Sequence, residues 1–224
     1  MLEAIINSVQ KIFYKGKLPN GKVSFNEILD LTNTWIEDGS KEEKILLLDY
    51  LINTILEDIC ISRIAKFLYH DESPTDMNNF IPCYFIDETG NEISIYTNEN
   101  IEVDLSKTIT YTCAWNKTRL HDSLLNLYRN SFKYHEYNHF SYFFTDINFC
   151  YVYNGNHSIQ AGLYYKKGVI ISRVCKTELL YPHCKTDGLF WYNSHTGEKL
   201  MPVIDFRFAA VFSIAQIRNR IMSE

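Results

Sequence analysis

The chain has 224 residues, 46% of them hydrophobic and 22% charged, with a net charge of −5. That composition is that of an ordinary globular protein, and an acidic chain is not as a whole an electrostatic trap for nucleic acid. No uninterrupted apolar run approaches the roughly 20 residues that span a bilayer, and the N-terminus has an early Glu and no basic n-region, so the expectation is a cytoplasmic protein without a signal peptide or membrane contact. The 16 Tyr and 14 Phe accompany frequent Asn, Ile and Lys. All of these have AT-rich codons, so much of the aromatic excess reads as genome composition and not as a base-stacking surface. The six cysteines are irregularly spaced with no C-x-x-C pair, which argues against a disulfide scaffold. The nearest approaches to a zinc spacing are His183-Cys184 and His135-x-x-x-His139, and no metal site is assigned.

Residues 1–75 read as a helical part. Leu2, Ile5, Ile6, Val9 and Phe13 carry helical spacing, and Pro19 and Asn20-Gly21 break it. Ser24-x-x-Glu27 predicts a capping box opening a helix to about Gly39, and Ser40-x-x-Glu43 predicts a second, opening the longest helix up to about His70. Ile45, Leu48, Ile52, Ile55, Ile59 and Ile64, widened by Leu46, Leu47 and Leu51, form a stripe broad enough to be buried on more than one side. Its acids, Glu42, Glu43, Asp49, Glu57 and Asp58, read as a solvated face. The 40–70 helix is the expected surface for a protein partner or homodimer. The polar segment 70–79 is the expected boundary.

Residues 76–224 read as the second part. The periodicity changes to that of strands: 81–86 and 92–97 around a turn at 87–91, then 108–115. A polar break at Asn116-Lys117-Thr118-Arg119 precedes an amphipathic helix over 121–132, with Leu120, Leu124, Leu127, Tyr128 and Phe132 inward. Strands are expected at 140–144 and 148–153, a helix at 156–167, and strands at 169–174 and 189–192. Pro202 suits the start of a closing, largely buried helix over 203–222. Within that helix Arg207 is flanked by apolar residues and is expected to pair internally with Asp205.

The stretch 151–168 points most directly at chemistry. An apolar strand runs into Asn154-Gly155-Asn156-His157-Ser158 and then a helix, so a tight Gly turn and a helix N-terminus gather unpaired N–H groups that favour a phosphate. His157, titrating near neutrality, reads as a phosphate donor or general acid. Asn154 and Asn156 also suit a turn, and Ser158 a helix first turn. Asp122, Glu136 and Asp146 lack the paired spacing of a metal or base site. No G-x-x-x-x-G-K-[ST], G-x-S-x-G or H-E-x-x-H motif is present.

The order over 115–174 is a polar turn with an Arg, a helix, two short strands, a Gly turn, a helix and a strand. It resembles the core of the ParB/sulfiredoxin-like superfamily. In that group a Gly-centred turn, often G-x-H-R or D-G-x-x-R, cradles a nucleotide's phosphates (CTP in ParB proteins, ATP in sulfiredoxin). The matching residues are Asn154, Gly155, Asn156, His157 and Ser158, with Ala161 and Gly162 at the small helix positions and Arg119 in the upstream polar box. The resemblance covers about 60 of the 224 residues. With the helical readings on either side of it, the expectation is an α+β protein: an N-terminal helical part, then the ParB/sulfiredoxin-like mixed sheet with helices that the resemblance implies, and a closing C-terminal helix. The resemblance also implies a nucleotide as ligand, with Mg²⁺ accompanying it, and a possible NTP-dependent activity in which His157 is the catalytic residue. Two departures weigh on that. Ser158 stands where the family's Arg is usual, which forfeits about 1.5–3 kcal/mol of charged hydrogen bonding, and Asn154 replaces the leading acid. The competing expectation is a non-catalytic interaction or inhibitory module of a phage or bacterial defence system. A DNA-acting nuclease comes last.

Overall fold

The computed structural model describes residues 21–69 and 80–224. The expectations for a helix over 1–13, for a break at Pro19 and for a boundary loop over 70–79 lie outside those residues. The chain is an α+β protein. In order it forms helices α1 (Gly21–Trp35) and α2 (Lys41–Tyr69), strands β1 (Tyr84–Ile86), β2 (Glu92–Ser94), β3 (Tyr96–Asp104) and β4 (Ile109–Tyr111), and helix α3 (Lys117–Arg129). There follow β5 (Phe140–Phe144), β6 (Phe149–Asn154), α4 (Asn156–Tyr165), β7 (Val169–Cys175), a 3-10 turn (Thr177–Leu180), β8 (Cys184–Thr186), β9 (Phe190–Asn193), β10 (Lys199–Pro202) and α5 (Phe206–Ser223).

The central sheet has the order β3-β7-β5-β6-β4. β3 pairs antiparallel with β7 and β5 antiparallel with β6, whereas β5–β7 and β4–β6 are parallel. Period-2 alternation puts Phe144, Phe149 and Tyr151 on one face, where they join Leu48, Ile52 and Leu56 of α2 and Phe208 and Phe212 of α5. Phe143, Cys150 and Val152 fall on the other, against Ile159 of α4. The larger cluster therefore draws on residues from both sides of position 76. β8, β9 and β10 form a separate antiparallel sheet beside α5.

Several local expectations are corrected. Ser24 is not an N-cap: α1 already begins at Gly21, and Ser24 is buried within it. The second box is complete, with Ser40 N–H donating to Glu43 Oε2 (2.7 Å) and Glu43 N–H donating to Ser40 Oγ (3.2 Å). The α2 stripe is buried on one broad face only, since Leu46 is 67% exposed. Two acids of its supposed solvated face are ion-pair partners of α5: Asp58 binds Arg207 and Asp49 binds Arg218. Tyr128 is exposed, because α3 turns only Leu120 and Leu127 fully inward. Pro202 ends β10, and Asp205 caps α5 by accepting from Arg207 N–H. The predicted Arg207–Asp205 pair is present at 2.6 Å. Among the described residues no helix is long and apolar enough to cross a membrane.

Candidate functional site

The turn between β6 and α4 is built around Gly155, at φ +80°. A Cβ there would sit 2.5 Å from His139 Cδ2 and 2.9 Å from the Asn138 carbonyl oxygen. Both the left-handed backbone and the close approach therefore require glycine. No side chain caps α4, and its first internal bond runs from Ile159 N–H to the Gly155 carbonyl (3.1 Å). The preceding N–H groups have no partner within the helix, and the partial positive charge of the helix end adds to them. On the same helix Ala161 is buried, and Gly162 has Leu105 Cδ1 only 2.7 Å from where a Cβ would be. The two expected small positions let α4 lie close on the sheet.

The segment 112–116, running from β4 to α3, is fastened to this helix by three bonds. Thr112 Oγ1 donates to Gln160 Oε1, Cys113 N–H to Asn156 Oδ1 (2.7 Å) and Asn116 N–H to His157 Nε2 (3.1 Å). Asn116 also caps α3, its Oδ1 accepting from Arg119 N–H (2.9 Å). Arg119 consequently lies in the first turn of α3 and not in a loop ahead of it. Its guanidinium carbon is 5.0 Å from the centre of the Trp115 ring, and Trp115, 51% exposed, meets His157 edge-on at 5.3 Å. Among the described residues Arg119 makes no ion pair.

These groups line a cleft of about 380 Å³ with Asp122, Ser123, Asn138, Asn154, Gly155, Asn156 and Ser158. Beyond Ser123, Asn138 and Ser158 it meets a second hollow of about 550 Å³, lined by Asn126, Asn130, Lys133, His135 and His139 among others. All six sequence-predicted residues, Arg119, Asn154, Gly155, Asn156, His157 and Ser158, thus border one cleft, but their side chains differ in what remains free. Asn156 is buried with its carbonyl oxygen engaged by Cys113. Ser158 Oγ donates to the Gly155 carbonyl (3.0 Å) and bonds His139 Nε2 (2.9 Å). A hydroxyl has one hydrogen, so the His139 nitrogen is the donor in that pair, consistent with His139 Nδ1 accepting from His135 N–H (3.2 Å). Both ring nitrogens of His139 are used within the fold. Burial and then the neighbouring His135 hold its pKa down to about 4.

His157 has its Nε2 occupied as an acceptor, which leaves Nδ1–H as its one donor. Burial first, and the Arg119 charge second, push its pKa below the ordinary histidine value. What the cleft offers is therefore the first-turn N–H groups of α4, the Arg119 guanidinium, the exposed Asn154 amide and a neutral imidazole N–H, next to an exposed indole face. That set suits an anion carrying an aromatic or polar body. Among the described residues no group of three or more His, Cys, Asp or Glu is placed to hold a metal ion. Trp115 and Asn138 were not singled out from sequence, and His139 only for its spacing from His135. Trp115 carried a signal in its place directly before the Asn116 box, whereas Asn138 and His139 reach the turn only through tertiary packing.

A mixed five-stranded sheet with a Gly turn, an uncapped helix and an arginine that makes no ion pair among the described residues defines an α+β protein with a polar cleft at one end of the sheet. The chain belongs to the family described as a family of unknown function (DUF6710), whose model matches residues 8–223. Comparison with curated proteins and with solved structures gives no match.

Proposed function

We propose that the protein binds a nucleotide, or a related phosphate-bearing ligand, in the cleft at the start of α4, in the manner of ParB-like proteins. The observation that carries this is that Arg119, which has no carboxylate partner among the described residues, and the uncapped first turn of α4 border one cleft. Arg119 supplies the charged contact that Ser158 lacks, and Trp115 is a stacking surface for a base. Mg²⁺ would enter with the phosphates, with Asp122 the carboxylate lining the cleft. We place this activity in the cytoplasm. A thermal-shift panel of nucleoside triphosphates and nucleotide second messengers, with and without Mg²⁺, tests the reading. A ligand at about 100 times its Kd adds roughly 2.7 kcal/mol of stability, and Arg119→Ala is expected to abolish the shift. If no nucleotide raises the melting temperature, the reading is wrong.

A second reading, a binding or inhibitory module without chemistry, is favoured by the state of His157. Its Nε2 accepts from a backbone N–H, so it holds no proton to give up there. Leu46, Tyr50 and Ile61, exposed along α2, are the surface on which such a module would take a protein partner or a second copy. A nucleotide that binds without turnover, with and without Mg²⁺, separates this reading from an NTP-dependent enzyme.

A further inference from the structure

A separate pocket with an excess of cations in its lining lies between α2, the end of β4 and the start of α5. About 180 Å³ in volume, it is bordered by Ser62, Arg63 and Lys66 of α2, Tyr111 of β4, and Asp205 and Arg207 at the start of α5. The two arginines in it differ sharply. Arg207 is fully engaged: Nε and Nη2 bind Asp205 at 2.6–3.1 Å, and Nη1 binds Asp58 Oδ2 (2.7 Å) and Ser62 Oγ (2.8 Å). Arg63 makes no ion pair among the described residues. Its Nη2 has only the weak Cys113 Sγ acceptor at 3.4 Å, and its buried Nε has none. The pocket's charged lining is three cations against one carboxylate, and that carboxylate is already held by Arg207.

We propose that this pocket binds a small oxyanion, a phosphate either free or as a monoester, on the guanidinium of Arg63 with Lys66 beside it. Arg63 is partly buried and has no carboxylate among the described residues to offset its lost hydration. A guanidinium presents paired N–H donors at the spacing of two phosphate oxygens. The volume suits a phosphate group and is too small for a whole nucleotide. The site is independent of the cleft proposed above, which uses Arg119.

Calorimetric titration of the full chain at low ionic strength, with inorganic phosphate and with methyl phosphate as probes, tests this on wild type, Arg63→Gln, Lys66→Gln and Arg119→Gln. The expected result is phosphate binding that weakens at least tenfold in Arg63→Gln and severalfold in Lys66→Gln and persists in Arg119→Gln. Comparing the two probes distinguishes a site for free phosphate from one open to a monoester. Lys66 is exposed, so its variant carries the test if Arg63→Gln is misfolded by circular dichroism. Unchanged affinity in Lys66→Gln and in a folded Arg63→Gln, or no phosphate binding by wild type, overturns the proposal. Binding that responds only to Arg119→Gln also overturns it while leaving the nucleotide cleft standing. Nucleotides that fail to bind while Arg63-dependent phosphate binding persists would sink the cleft alone.

Discussion

The Nε2 of His157 lies 3.1 Å from the amide nitrogen of Asn116, and toward an N–H donor it can only accept. A protonated imidazole would set two N–H groups against each other, so this contact favours the neutral ring, in line with the lowering by burial and Arg119. The expected outcome in a ¹⁵N-resolved NMR titration is a His157 that is Nδ1-protonated and neutral at pH 7, and that titrates below 6.5. An Nε2–H tautomer, or a pKa above 6.5, would contradict the geometry.

Gly155→Ala should cost the fold and the cleft together. The added Cβ meets both His139 and the Asn138 carbonyl, and the residue must also hold φ +80°. Left-handed backbone at a non-Gly residue costs on the order of 1–3 kcal/mol, and neither neighbour is the loose end of a flexible side chain. We expect a loss of at least about 2 kcal/mol in urea unfolding. A variant as stable as wild type would mean that the turn has an alternative conformation.

How much of this was legible in the sequence follows from the range of the interactions. The Ser40–Glu43 box, the 87–91 turn and the 151–168 strand–turn–helix are fixed by residues within a few positions of one another, and each is found where the pattern puts it. The parallel pairings β4–β6 and β5–β7 leave no local mark, and β8 and β10 are too short for periodicity to register. The same division holds in the cleft. Gly155 announces its turn, but the atoms that use up Asn156, His157 and Ser158 belong to residues 43, 41 and 19 positions away. Ser24 illustrates the converse: a correct local motif was overridden because α1 begins a turn earlier.

His139 predicts a specific loss of stability in mild acid. Its pKa is about 4 in the fold against 6.5 for the unperturbed side chain. Between those values the unfolded chain holds the extra proton, so stability is full above pH 6.5 and falls as the pH drops toward 4. The slope approaches about 1.4 kcal/mol per pH unit. The single-group contribution at pH 5 is a loss of about 2 kcal/mol relative to pH 7. Urea unfolding at the two pH values should show a loss about 2 kcal/mol smaller in His139→Asn than in wild type, the remainder coming from groups such as His157 whose pKa is also lowered. An equal loss in both proteins would assign the acid sensitivity to other groups.

Arg218 joins the N-terminal helices to the sheet, and its removal should be among the most damaging polar changes in the described fold. The residue is 9% exposed on α5, bonded to the Asp49 carboxylate of α2, to Asp146 Oδ1 at 3.0 Å and to the Asp146 carbonyl. The Asp146 side chain is itself only 14% exposed and takes the Tyr181 hydroxyl as well. Arg218→Met keeps the aliphatic stem but strands the Asp146 carboxylate beside Tyr181. Breaking a buried pair from one side costs about 3–5 kcal/mol, and the low end applies because Asp49 is half exposed and can regain water. Asp146→Asn added to Arg218→Met removes the stranded charge while keeping an oxygen for Tyr181, so the double variant should recover more than half of the loss. If it is no more stable than Arg218→Met, the cost lies in packing around the guanidinium and not in the uncompensated carboxylate.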